Sequence, residues 1–230
     1  MKTFQNISIK LCFVLALGYG VVSCEYDNFD EPQTTIQGRI VDASGNLVPT
    51  QQPNGTRIRL YDQAYENVQP IALWGMPDGT YEYTRIFSGS YKVIADGPFF
   101  PIDTLLTNIQ DVENLDIEVV PFLSLSNISA EENGSDVEVT YSISRTQVVG
   151  KINKLAVFVN TTPFVDSNNF INTNAESDVS GMSDDELLNN VQQKVISGLE
   201  PGEKYYIRAA ARAANSGNYY NYSEMIELEL

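Results

Sequence analysis

The sequence predicts an all-β protein made of two β-sandwich domains in tandem. Three observations carry that reading. Apolar residues recur at every second position in short runs, such as Ile58 and Leu60 or Val137, Val139, Tyr141 and Ile143, which is the period of a half-buried strand. Turn residues close these runs, as in Ala43-Ser44-Gly45-Asn46, Asp78-Gly79 and Asn215-Ser216-Gly217-Asn218. A helical pattern is confined to one short stretch around Leu187.

The N-terminus runs from Met1-Lys2 to Lys10 and is then apolar from Leu11 to Val22. A basic start followed by a short hydrophobic core has the layout of a secretory signal. The apolar run is well short of the roughly 20 residues that span a bilayer, and Gly18 and Gly20 weaken it as a helix. It ends in Val21-Val22-Ser23-Cys24, which resembles the lipobox of bacterial lipoproteins. The resemblance implies that residues 1–23 are a lipoprotein signal peptide. The Cys24 thiol would take up a diacylglyceryl group and become the new N-terminus. Acyl chains contribute about 0.8 kcal/mol per buried CH₂, so the partner reached through Cys24 is a membrane.

Residues 24–33 read as an acidic tether: Glu25, Asp27, Asp30 and Glu31 lead to Pro32 with no hydrophobic period. Acids just after the lipidated cysteine resemble the surface-export signal of Bacteroidetes-type lipoproteins. That implies an outer-membrane location facing the cell exterior, with the periplasmic face as the alternative.

The first domain is expected over residues 34–121. Ile36, Gly38 and Ile40 alternate with Gln37, Arg39 and Val41, and a second strand runs from Thr56 to Tyr61. Asp78-Gly79-Thr80-Tyr81 and Gly89-Ser90-Tyr91 each pair a turn glycine with a packing tyrosine, and Leu115 to Val120 is a last strand candidate. Ile36-x-Gly38-x-Ile40-x-Asp42-x-x-Gly45, Asp78-Gly79-x-Tyr81 and Gly89-x-Tyr91-x-Val93 resemble the carboxypeptidase-regulatory-like, transthyretin-like sandwich. That motif implies a fold and no chemistry.

The second domain is expected over residues 122–230, with Pro121 to Asn127 as the joint. Strands are read at Asp136 to Ser144 and Lys154 to Thr161, followed by a polar, Asn-rich stretch from Thr162 to Gly181 that suggests a functional or mobile loop. Ser183-Asp184-Asp185-Glu186 is a capping box for a short helix. Leu199-Glu200-Pro201-Gly202-Glu203-Lys204-Tyr205 resembles the turn and corner tyrosine of an immunoglobulin-like, fibronectin type III sandwich, with Ile207, Ala209 and Ala211 on the tyrosine's face. A helix over the alanine-rich Arg208 to Ala214 would be too short to stand alone. Tyr222 to Leu230 is the closing strand.

Composition narrows the chemistry. The chain has no histidine and two cysteines, and its net charge is −16. Losing residues 1–23 removes Lys2, Lys10 and Cys12, so the remaining chain stands at −18 with Cys24 its only thiol. Serine–histidine and cysteine–histidine catalysis are excluded, as is an internal disulfide. No nucleic-acid partner is expected, because phosphate contacts need clustered cations. No P-loop, dinucleotide fingerprint or nucleophile elbow occurs. The acids Asp27, Asp30 and Glu31, and Asp178, Asp184, Asp185 and Glu186, follow no calcium-loop spacing, so no metal and no cofactor are expected.

Together, the lipobox and the two sandwiches resemble a two-domain surface lipoprotein family of Bacteroidetes that is of unassigned function and linked to polysaccharide-utilisation loci. The resemblance implies a non-catalytic, lipid-anchored protein that binds glycan or assists a starch-utilisation-type glycan-import complex, with polysaccharide and outer-membrane transport proteins as partners. A purely structural, protein-docking spacer is the alternative, and a glycoside hydrolase a third reading, since abundant acids allow a carboxylate pair. Sugar rings stack on aromatic faces, so Trp74, Tyr61, Tyr65 and Phe99 form the candidate ligand site. Tyr219, Tyr220 and Tyr222 flank the last hairpin.

Overall fold

A computed structural model describes residues 31–230, of which Pro32–Leu230 form one compact unit. The signal segment, Cys24 and most of the acidic tether lie outside the described residues. The unit is almost entirely β, arranged as two sandwiches.

In the first sandwich, β1 (Thr34–Val41) buries Ile36 and Ile40 and turns Gln37 and Arg39 to the other side. It pairs antiparallel with β4 (Thr80–Ile86) and parallel with β7 (Val112–Asn114) and β8 (Ile117–Glu118). The strand expected over Leu115 to Val120 is therefore reduced to β8, and β7 precedes it across a break at Leu115 and Asp116. The break has a cause. The Leu115 carbonyl accepts the Tyr81 hydroxyl at 2.5 Å and lies against Gly38, where a Cβ would come within 2.0 Å of the same oxygen. Beside it, the Asp116 carboxylate takes the Arg39 backbone N–H at 2.9 Å and pairs with the guanidinium. A side chain thus replaces the ladder at that point, and Gly38 is the residue that lets the strands approach.

The facing sheet has the order β3 (Ile71–Trp74), β2 (Arg57–Asp62), β5 (Gly89–Asp96), β6 (Leu105–Ile109), all antiparallel. Strands β3 and β6 do not stand out in the sequence, because they are only four and five residues long and flank better-patterned neighbours that supply their partners. Ile58, Leu60, Tyr81, Tyr91 and Val93 fill the space between the sheets.

The turn after β1 is held by Asp42, whose carboxylate accepts from the backbone N–H of Ser44 at 2.8 Å and of Asn46 at 2.9 Å. Burial acts to raise this carboxyl, but the hydrogen bonds from Asn46 and Ser44 outweigh it and hold its pKa below the usual carboxylate value. A depressed folded-state pKa stabilises above the unfolded value near 3.9 and loses that contribution as pH falls through the folded value. Asp42→Asn should therefore be slightly less stable at neutral pH, by on the order of 1 kcal/mol after solvent screening. Urea melts from pH 6 to pH 2 should show the gap closing at the acid end; a gap independent of pH would refute the assignment.

The second sandwich packs β13 (Gln192–Ser197), β10 (Asp136–Ser144) and β9 (Ser124–Asn133) against β12 (Glu176–Asp178), β11 (Ile152–Asn160), β14 (Lys204–Ala213) and β15 (Asn221–Tyr222), with β16 (Ile226–Glu229) also beside β14. Two expectations change here. The joint read over Pro121 to Asn127 runs into β9, and the closing strand is split around Ser223, whose hydroxyl accepts the Ala209 N–H at 3.0 Å. The capping box forms helix α1 (Asp184–Asn189): the Ser183 hydroxyl accepts the Glu186 N–H at 3.1 Å and Leu187 is fully buried. Tyr205 makes its corner, its hydroxyl accepting the Glu200 N–H at 2.8 Å, and Leu199 packs on the core.

Residues Arg208 to Ala213 are strand, and the alanines follow from burial on both faces. Ala209 and Ala211 join the core between the sheets, while Ala210 lies under a second apolar layer with Phe158, Val165 and Tyr222. The polar stretch after β11 supplies that layer. Asn172 completes the strand edge, donating to the Val157 carbonyl and accepting from the Val159 N–H, both at 2.9 Å.

The same stretch joins the two sandwiches. Asp166, 2% exposed, accepts the Gln52 N–H at 2.9 Å, and the Asn221 amide donates to the Pro98 carbonyl at 2.8 Å. Arg208 lies at the centre and is itself only 2% exposed. Its guanidinium sits 4.4 Å from the Tyr222 ring and donates to the carbonyls of Thr50 (3.1 Å) and Pro77 (3.2 Å) in the first sandwich and Val165 (3.3 Å) in the second. The joint is a buried polar interface and not a linker.

Candidate functional site

The outward face of the β3-β2-β5-β6 sheet brings together most of the residues suited to a ligand. Alternation decides which ones. Ile58 and Leu60 point into the core, so Arg57, Arg59 and Tyr61 point out from β2. Register places Trp74 and Asp96 on either side of Arg57, Ala72 and Ile94 beside Arg59, and Lys92 beside Tyr61. Trp74 is 38% exposed, and the Arg57 guanidinium lies 5.6 Å from its ring centroid. Arg59 pairs with Asp96. Leu106 on β6, 76% exposed, extends the face beyond Lys92.

The four aromatic candidates separate. Trp74 and Tyr61 share this face, about 13 Å apart at strand spacing. Tyr65 lies in the exposed loop beyond β2, past the end opposite Trp74. Phe99 is corrected: it is 3% exposed and belongs to the core. Its backbone bridges to Pro121, and its ring folds back over Gly97, where a Cβ would come within 2.7 Å of it. Pattern could not show this, because Phe99 follows β5 outside any strand and so carries no period that marks it as core.

Tyr219 approaches from the second sandwich. Asn215 clamps its backbone, accepting the Tyr219 N–H at 2.9 Å and donating to its carbonyl at 3.0 Å. The ring covers Gly217, where a Cβ would sit 2.0 Å from it. Burial raises the Tyr219 pKa and the Asp96 carboxylate adds to this, while Arg57 and Arg59 oppose it. The hydroxyl is therefore within electrostatic reach of the Arg57–Asp96–Arg59 group.

Arg57, Arg59, Lys92 and Asp96 were not singled out from sequence. The alternation of Thr56 to Tyr61 contained the signal for the arginines, but their pairing with Trp74 required β3. On the opposite sheet, an open groove of about 460 Å³ is lined by Gln37, Arg39, Glu82, Asn114 and Asp116. Its polar groups are largely paired with each other, Gln37 with Asn114 at 2.8 Å and Arg39 with Asp116, and no exposed ring faces them. It is the weaker site. Among the described residues, no three His, Cys, Asp or Glu side chains converge as a metal-ligand set.

Two family models match the chain, one described as the N-terminal domain of a protein of unknown function, DUF3823, over residues 34–120, and the other as the DUF3823 C-terminal domain over residues 123–227. The chain belongs to the DUF3823 family. Solved family members share the fold. One from Bacteroides uniformis is 24% identical, with a TM-score of 0.76 over 86% of this chain and 100% of that one. Another, from Parabacteroides merdae, is 22% identical, with a TM-score of 0.73 over 87% of this chain and 100% of that one. A second Bacteroides uniformis structure, of a protein proposed to bind carbohydrate, is 21% identical, with a TM-score of 0.77 over 86% of this chain and 100% of that one. No curated protein matches the chain.

Proposed function

We propose that this DUF3823 protein is a non-catalytic carbohydrate-binding protein, anchored through Cys24 to the outer membrane and facing the cell exterior, where it serves a glycan-import complex. The observation that carries the binding reading is the outward sheet face on which an exposed indole, Trp74, stands beside Arg57 and the Arg59–Asp96 pair. Apolar sugar faces stack on rings, while carboxylates and guanidinium groups take the hydroxyls. The relative proposed to bind carbohydrate supports the same ligand class. The anchor is supported by Val21-Val22-Ser23-Cys24 and the acids that follow it.

The protein carries its own reporter, since Trp74 is its one tryptophan. Titrating the soluble chain from Glu25 onward with a panel of polysaccharides should change Trp74 emission with at least one of them, in parallel with heat measured by calorimetry. Silence in both across neutral and acidic polymers would reject glycan binding and leave the spacer reading. Labelled-palmitate incorporation that disappears in Cys24→Ala tests the anchor separately.

A further inference from the structure

Resting on the carbohydrate reading, we infer that the sheet face around Trp74 is built for an acidic glycan, one carrying carboxylate or sulfate groups, and not for a neutral one. The protein has a net charge of −16, so an average surface patch should be acidic. This face is the reverse. Its outward positions hold three cations, Arg57, Arg59 and Lys92, and one acid, Asp96. Asp96 is engaged by Arg59. Among the described residues, neither Arg57 nor Lys92 has a carboxylate within ion-pair distance.

Their arrangement suits a chain-like polyanion. Arg57 and Arg59 are two positions apart on β2, about 7 Å, and Lys92 stands one strand over beside Tyr61, so the cations follow the strand from Trp74 to Tyr61. Stacking near the indole orients the Arg57 guanidinium and leaves N–H groups for a planar or tetrahedral anion, the bidentate geometry that arginine favours. Rings at both ends give the sugar faces something to lie on. A neutral glycan would use the rings but leave Arg57 and Lys92 unmatched. The repulsive background also serves selection, since an acidic polymer is attracted only where the local sign is inverted.

The test compares polymers that differ only in charge: dextran with dextran sulfate, and polygalacturonate with its methyl ester, titrated against the chain from Glu25 onward by Trp74 emission and calorimetry. At about 50 mM salt one or both acidic forms should bind at least tenfold tighter than the neutral partner, with the advantage shrinking towards 300 mM as screening sets in. The favoured pair tells carboxylate from sulfate. Arg57→Gln and Lys92→Gln should each weaken the acidic ligand about threefold to tenfold, and Arg39→Gln on the other sheet should not. Equal affinity for both members of each pair, with Trp74→Ala still weakening binding, would overturn the acidic inference and leave the carbohydrate reading standing. Tighter binding of oligothymidylate than of any acidic glycan would also overturn it. No emission change and no heat of binding with any polysaccharide would remove both.

Discussion

Arg208→Ala is expected to cost this protein about 3–5 kcal/mol of stability, a large effect for a single charge removal. The guanidinium donates to carbonyls of both sandwiches from a site closed to water. Each buried acceptor left without a donor costs about 1–3 kcal/mol. The Pro77 carbonyl is partly spared because it also accepts the Thr50 N–H at 3.2 Å, so the sum stays below a simple multiple. Replacing a buried ion pair by apolar residues can be neutral, but that route is closed here, because the acceptors are backbone carbonyls that no substitution removes. Arg208→Leu should therefore fall close to Arg208→Ala, and Arg208→Lys between them and the parent, since an ammonium cannot reach in three directions at once.

For a unit of this size the loss is a drop in Tm of about 8–15 °C. Burial pulls the Arg208 pKa down to about 10, while the Tyr222, Asp166 and Asp78 side chains pull it back up. A base with a depressed folded-state pKa carries its cost at every pH below that value and is relieved only above it, so the difference between parent and variant should be flat from pH 6 to pH 8. Thermal melts followed by circular dichroism decide the matter; a variant melting within about 2 °C of the parent would show that the interface does not depend on this residue.

Trp74→Ala should weaken carbohydrate binding by about 2 kcal/mol, roughly thirtyfold, while leaving the fold intact. The estimate combines the apolar area that a sugar face would cover on the exposed part of the ring with a stacking contribution of about 0.5–1.5 kcal/mol. The ring is also partly packed, so about 1–2 kcal/mol of stability goes with it, together with the cation–π contact to Arg57. That is small beside the Arg208 effect, and a melt run in parallel separates the two. Because the variant has no tryptophan, its affinity must be read by calorimetry. Unchanged affinity in a folded Trp74→Ala protein would move the binding site elsewhere, to the Gln37–Asn114 groove first.

Strands with an unbroken alternation, such as Asp136 to Ser144, were legible residue by residue, because one wet face and one dry face leave a period of two. The capped helix at Ser183 and the Tyr205 corner were legible for a different reason, since both are closed by hydrogen bonds within a few residues of chain. The breaks between β7 and β8 and between β15 and β16 were not, because they are set by contacts with distant residues: the Tyr81 hydroxyl on the Leu115 carbonyl and the Asp116 carboxylate on the Arg39 N–H in one sandwich, and the Ser223 hydroxyl on the Ala209 N–H in the other. The Asn-rich stretch from Thr162 to Gly181 reads as a loop and is one apart from β12, but its part in joining the sandwiches was hidden for the same reason. Its polar residues satisfy partners such as Gln52 that lie more than a hundred positions away.

The site divides along the same line. Sequence alone determined the all-β class, the outward direction of Arg57, Arg59 and Tyr61 and the exclusion of histidine and disulfide chemistry, because these follow from composition and from a local period of two. Tertiary structure decided that Trp74 lies against Arg57 and that Phe99 is core. It also decided that a charged Arg208 sits buried between the domains. Each of these depends on which distant strand supplies the neighbour, and pairing energy between remote segments leaves no mark on the residues of either one.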